Sequence, residues 1–451
     1  MGTRFRRSVA LAAALPLIFF ATACSGSDTP PGDGPQTVRV MLWGNDADIT
    51  SIKNASQGFI DANPDIVIKW ETGDCAVDYA ACKTLVAGGN MPDVFVTGSW
   101  NYFQAARDGV LLDITDKFTS GELSREDFTK PVLDALTSTT SSKIHALPMG
   151  YNAQSLFYNK DMFDAAGLAY PAADGSYTYD DVREWAALLT LDKNGKNAHD
   201  SEFDSKNIVQ WGYFNFAAAP IEPGYAPVLA AFGGGVLGGP ERNICTAEDP
   251  GTIAGFQWIQ DLMWKDYSAI TPQLQQEEQG NGRWVRGQVA MQQGSHEQVM
   301  AVQQQNPTLN YDMAALPEGP AGNATLFQIH TWAIWGDTKV PAAAWSFVKY
   351  MATEGSGTQM GLIPAYKDKA HGPDFAQAPN EPEHLVQAQL DIASWPLAFT
   401  NIDPSVVISQ VLSQDGIGGA IESIITNRQT AADALKGICA ERIDPILEQA
   451  R

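Results

Sequence analysis

The chain has 451 residues, 44% of them hydrophobic, with 12 Trp, enough apolar material for two domains with their own cores. Its 52 Asp+Glu against 29 Lys+Arg give a formal net charge of -23, which excludes nucleic acid as a partner because phosphate binding needs a cationic footprint.

Arg4, Arg6 and Arg7, an apolar run from Val9 to Phe20 and then "ATACSGSDTPPGDGP" have the three-part form of a secretory signal peptide over 1–23. The run is too short to span a bilayer. Cys24 directly follows Ala21, Thr22 and Ala23, an arrangement that resembles a bacterial lipobox, although Ala21 stands where Leu is usual. The resemblance implies that Cys24 is lipidated and becomes the first mature residue, held at the extracellular face of the cytoplasmic membrane through that anchor alone. Ordinary cleavage is the plainer reading, but it leaves an odd thiol in an oxidising compartment. Residues 24–36, rich in Pro, Gly, Ser and Asp, form a linker that cannot pack. The other cysteines, Cys75, Cys82, Cys245 and Cys439, allow three pairings. Closeness in sequence favours Cys75–Cys82, leaving Cys245–Cys439.

"TVRVMLW" (Thr37 to Trp43) predicts a buried strand. Ile49, Ile52 and Phe59 predict a helix that Asn63-Pro64 stops. "DIVIKWE", a helix before Gly88-Gly89, and "DVFV" (Asp93 to Val96) continue the alternation, which predicts a parallel, doubly wound α/β lobe. Ligands of such sheets gather beyond the strand carboxyl ends, where Trp43, Asn45, Asp46, Trp100 and Asn101 fall. "LPMGYN" predicts a strand crossing out of this lobe. A helix around Tyr179 to Thr190, the loop "DKNGKNAHDSEFD" and the strand "IVQWGYF" follow, and "NYDMAALPEGP" and "GLIPAYK" predict two further crossings.

Several motifs suggest chemistry and fall short of it. "GGGVLG" (Gly233 to Gly238) satisfies G-x-G-x-x-G but follows a helical segment rather than a strand. "DKNGKN" hints at calcium, yet Gly195 comes too early for an EF-hand loop, and a solvated turn fits better. "GSHEQVM" places His296 and Glu297 as in a zinc-protease helix, but Met300 stands where the second His belongs. No other of the six His lies four residues from His296, so no metal site is expected. Ser295 and Gln298 fit a capping box, which puts His296 and Glu297 in the first turn of a helix.

"LVAGGNMPDVF" (Leu85 to Phe95), "HALPMGYNAQSLFYNKDMFDAAGL" (His145 to Leu168), "FDSKNIVQWGYF" (Phe203 to Phe214), "RWVRGQVAMQQGS" (Arg283 to Ser295) and "AAWSFVKYMAT" (Ala343 to Thr353) run in order over nearly all the mature chain. Together they resemble the extracellular solute-binding proteins of family 1, the sugar receptors of bacterial ABC importers, with maltose- and oligosaccharide-binding members nearest in style. The resemblance implies an α/β, two-lobed periplasmic-binding-protein-like fold of type II with three interlobe crossings. The lobes are then 37–149 with 316–362 and 150–315 with 363–451. It implies a carbohydrate ligand in the cleft, hinge closure, ABC permease subunits as partners, a monomer, no cofactor and no enzymatic activity. A sugar offers apolar C–H faces and a rim of hydroxyls, so its receptor wants flat rings beside polar side chains. Trp43 with Asn45 and Asp46, Trp100 with Asn101, and Tyr151 with Asn152 are such pairings, and Tyr225 and Trp395 are further candidates. The turn Gly294, His296, Glu297 lies where the family often carries a stacking Trp, absent here. The competing class is an exported carbohydrate-active hydrolase with two carboxylates about 5–10 Å apart. An adhesion or scaffold lipoprotein would bind no small molecule.

Overall fold

β1 (Gln36–Leu42) is exposed at its start and buried from Val40 onward, as a strand entering a core must be. It opens a computed structural model that describes residues 34–449 apart from 45, 74, 76–78, 139–140, 216–221, 240–242, 278–281, 358, 371–381, 386–387, 389–391, 393–396 and 401–407. Helix Asp46–Ala55 follows, then β2 (Ile66–Thr72), helix Tyr79–Ala87, β3 (Val94–Gly98) and helix Ser99–Arg107. β1 pairs in parallel with both β2 and β3. The helix expected through Phe59 is broken at Ser56, whose buried hydroxyl donates to the Lys53 carbonyl at 2.7 Å, and a second helix, Gln57–Ala62, begins beyond it.

The first sheet is not wholly parallel. β4 (Ala146–Ala153) stays in it to Ala153, Gln154 intervenes, and β5 (Ser155–Asn159) opens a second sheet. β6 (Leu191–Asp192), β7 (Ile208–Phe214), β8 (Leu237–Gly238), β9 (Ile244–Cys245), β10 (Val289–Gly294) and β11 (Tyr311–Ala315) follow. β12 (Glu318–Gly319) and β13 (Gly322–Ile334) return the chain to the first sheet, and β14 (Ile363–Pro364) and β15 (Leu397–Thr400) also join it. Among the described residues the strands form an eight-stranded sheet with the path β14-β4-β13-β3-β1-β2, a five-stranded sheet β11-β5-β10-β7-β6 and the pair β8-β9. β13 enters from the second sheet's side and therefore runs antiparallel to β3 and β4. That reversal is what the strand-helix alternation did not reveal. The result is a two-lobed α/β fold.

Each sheet carries apolar layers on both faces. Trp332 and Phe347 meet edge to face on one side of the first sheet, and Phe95, Tyr102 and Phe327 are buried in the other. In the second sheet Tyr213 packs on Trp258, and Phe157 and Trp284 fill the opposite layer. Each such side chain contributes about 1.5–3 kcal/mol on burial. The C-terminal residues Ile421, Ile424 and Leu435 enter the same core as Trp258 and Phe256, so the end of the chain belongs to the second sheet's layer.

Local signals explain how the second lobe is framed. Thr178 and Asp181 form a reciprocal capping box that starts helix Tyr179–Leu189. That helix lies so close on β7 that a Cβ at Gly212 would stand 1.9 Å from the Ala186 carbonyl oxygen, so glycine is required there. In the loop after β6 the Asp192 carboxylate accepts the backbone N–H groups of Asn194, Lys196 and Asp204 at 2.7–2.9 Å. The carboxylate organises the turn. The "GGGVLG" run leaves helix Glu222–Ala231 and enters β8, the reverse of a dinucleotide-binding strand-to-helix turn. Cys75 is bonded to Cys82 and Cys245 to Cys439, with Cα–Cα distances of 4.8 and 5.6 Å.

Candidate functional site

Trp43 immediately follows β1, and its half-buried ring stacks on His330 with centroids 5.7 Å apart and planes 21° from parallel. His330 lies on β13 opposite Gly98, the last residue of β3, and opposite Gly150 of β4. The pairing of β13 with β4 shifts register between His330 and Thr331. Helix Ser99–Arg107 starts at the same place, with Gly98 at its N-cap and no side-chain cap. The carboxyl ends of β1 and β3 thus present a flat aromatic pair beside a helix N-terminus. Burial drives the His330 pKa down to about 4, so the ring is neutral at neutral pH.

In the second lobe, the ends of β7 and β10 carry a cluster of buried amides. Asn215 Nδ2 donates to Gln293 Oε1 at 2.9 Å, and Gln293 Nε2 donates to the Gly224 carbonyl at 3.3 Å. Gln292 Nε2 donates to Gln298 Oε1 at 2.8 Å. A Cβ at Gly294 would lie 2.6 Å from Gln298 Cγ, so glycine lets that buried side chain rest on the strand end. The expected capping box is therefore not formed. Helix Glu297–Gln305 has His296 at its N-cap with no side-chain capping bond, because Gln298 is turned toward Gln292 instead of back to Ser295.

His296 is buried, and its Nδ1 is bonded to the Gly361 carbonyl, just before β14. A carbonyl oxygen only accepts, so Nδ1 carries the proton. Burial, opposed by that bond, lowers the His296 pKa to about 4. The site's two histidines are neutral donors and acceptors rather than charges. Among the described residues no group of three or more His, Cys, Asp or Glu is placed to hold a metal.

Other residues expected at the site are placed differently. Tyr151 is wholly buried with its ring edge-on to Phe327, and Asn152 is buried beside it, because every residue of the central strand β4 is covered. Tyr225 is buried against Phe256. These two tyrosines are core residues. Asp46 is exposed at the start of its helix and Asn101 is half-buried in Ser99–Arg107. Cys24, Asn45 and Trp395 lie outside the described residues, as do the side chains of Trp100 and Glu297. The sequence reading missed His330, Asn215, Gln292 and Gln293. Their signal was a polar residue inside an apolar strand, as in "VAMQQG" and "FQIHTWAI", where a buried polar group must have a purpose or a partner.

A cavity of about 730 Å³ opens at the other end of the second sheet, near Asn159, Arg286 and Asn310. Its amides serve the protein: Asn159 accepts from the Met162 N–H, Asn306 donates to the Val285 carbonyl and Asn310 to Asp161.

A family model described as bacterial extracellular solute-binding protein matches residues 46–358. A binding protein of Brucella abortus (strain 2308) is 20% identical over 327 residues, 70% of this chain and 73% of that protein. Among solved structures, Mycobacterium tuberculosis UspC superposes with a TM-score of 0.72 at 21% identity, covering 91% of this chain and 100% of its own. An ABC substrate-binding protein from Listeria monocytogenes in complex with cycloalternan gives 0.73 at 19%, covering 92% and 99%. The sugar-binding protein MalE of Xanthomonas citri gives 0.73 at 16%, covering 92% and 98%.

Proposed function

Because the chain belongs to the bacterial extracellular solute-binding protein family, we propose that it is the lipid-anchored receptor of an ABC carbohydrate importer. It binds a sugar or oligosaccharide between lobes divided near residues 150 and 315, β14 and β15 keeping the chain just beyond 362 with the first sheet, and delivers it to permease subunits by closing. The observation that carries the carbohydrate assignment is the Trp43–His330 stack facing a wall of amides and a neutral histidine. Flat rings take a sugar's C–H face, and uncharged donors and acceptors take its hydroxyls. The neighbours that bind cycloalternan or are named as sugar-binding proteins support the same ligand class.

Trp43→Ala weakens binding of the cognate sugar about thirtyfold, a loss of about 2 kcal/mol typical of a central aromatic anchor. Calorimetric titration measures it, and an affinity equal to wild type removes Trp43 from the site. A thermal-shift panel of mono- and oligosaccharides identifies the ligand, since a sugar at a hundredfold its dissociation constant adds about 2.7 kcal/mol to the folded state. Sugar released from an oligosaccharide by the purified protein would make it a hydrolase instead. Cys24 carries the anchor in this reading. Cys24→Ser then stops incorporation of labelled lipid, and continued labelling places the anchor elsewhere.

A further inference from the structure

We propose that His296 is a positioning residue for closure, a latch whose Nδ1–H joins the β10 turn of the second lobe to the first lobe at Gly361. The inference rests on the reading that the cleft closes on a sugar. His296 sits at the end of the β10 turn, on the second sheet's side. Gly361 precedes β14, which pairs with β4 in the first sheet. The bond between them therefore spans the two lobes.

The 360–361 turn is held from the first lobe's side as well. The Met360 N–H donates to Ser51 Oγ at 3.0 Å, and that hydroxyl donates to the Asp48 carbonyl at 2.7 Å. Ser51 and Asp48 belong to helix Asp46–Ala55, which begins three residues after Trp43. Met360 and Gly361 have φ of 53° and 64°, a left-handed pair in which the non-glycine residue is strained and persists only when its surroundings fix it. A continuous run of contacts thus leads from the helix behind Trp43, through Ser51 and the 360–361 turn, to His296 on the facing wall. Opening the cleft carries the β10 turn away from the 360–361 turn and breaks the bond; closing it brings the ring back into register. Burial keeps the ring neutral, and the carbonyl fixes the proton on Nδ1.

Asn and Gln separate the two ring nitrogens. His296→Asn places an amide N–H where Nδ1 stands, whereas His296→Gln reaches the position of Nε2. The latch predicts that Asn keeps wild-type sugar affinity within about threefold, while Gln and His296→Phe lose about tenfold, the worth of one buried hydrogen bond. Affinity kept by Gln and lost by Asn overturns the proposal and makes Nε2 a ligand contact. Hydrogen exchange of segment 359–364 at saturating saccharide, where the cleft is closed, reads the latch independently of affinity. Protection is unchanged in Asn and lower in Gln and Phe, with β1 protected in all as evidence of folding. Equal protection in all variants overturns the latch. A wild type that binds no saccharide overturns the functional reading, whereas a wild type and variants that bind it equally overturn the latch alone.

Discussion

Removing the Cys245–Cys439 bond as the double variant Cys245→Ala, Cys439→Ala lowers the unfolding free energy by about 5 kcal/mol, whereas removing Cys75–Cys82 costs only about 2.5 kcal/mol. The difference comes from loop length. The first bond joins residues 194 apart and the second residues 7 apart, and closing a long loop removes more entropy from the unfolded chain. The long bond ties β9 to a C-terminal segment whose Ile421, Ile424 and Leu435 share the core of the second lobe. Without it the unfolded state gains freedom that this core must overcome. Urea unfolding of the two double variants, read at their midpoints, makes the comparison. Equal losses from the two bonds would show that chain entropy does not govern them.

Acid removes stability in a definite window. The unfolded histidine protonates near 6.5, while buried His296 and His330 resist until about 4. Between those values the unfolded state binds more protons, so stability is complete above about 6.5 and falls as the pH drops toward 4. The loss approaches roughly 3 kcal/mol per histidine. Carboxylates add to it lower down: burial alone would raise the Asp113 pKa, but bonds from Thr115 and Lys143 hold it at about 2. Urea midpoints at pH 7, 5 and 4 measure the slope, and His330→Gln reduces it above pH 4. A midpoint unchanged between pH 7 and 5 in wild type would contradict the buried, neutral histidines.

Much of this architecture was legible because local rules and tertiary demands agree. β1, β2 and β3 appear where alternating or continuous apolar runs placed them, and the helix expected around Tyr179 to Thr190 forms over Tyr179–Leu189. Trp43 lies just past the end of β1, where the periodicity put it. Tyr151 is buried in the core instead. A central strand such as β4 is buried on both faces, so its sequence does not tell which side chain looks into a cleft. His330 was missed because its partner Trp43 lies hundreds of residues away, just past the end of another strand. The His296–Gly361 bond is equally non-local, at a separation of 65 residues, and no motif encodes it. The antiparallel entry of β13 depends on a chain returning from another lobe, which strand-helix alternation cannot express.

Closure on a sugar is the claim on which the rest depends. A ligand favours the closed form only by touching both walls, which here means the Trp43–His330 pair and the amides of β7 and β10 together. Small-angle scattering of the mature protein, with and without saturating cognate saccharide, tests this most directly. The account predicts a smaller radius of gyration with the sugar and no change with a sugar that gives no thermal shift. A radius that stays the same at saturation, with binding confirmed by titration, would contradict it.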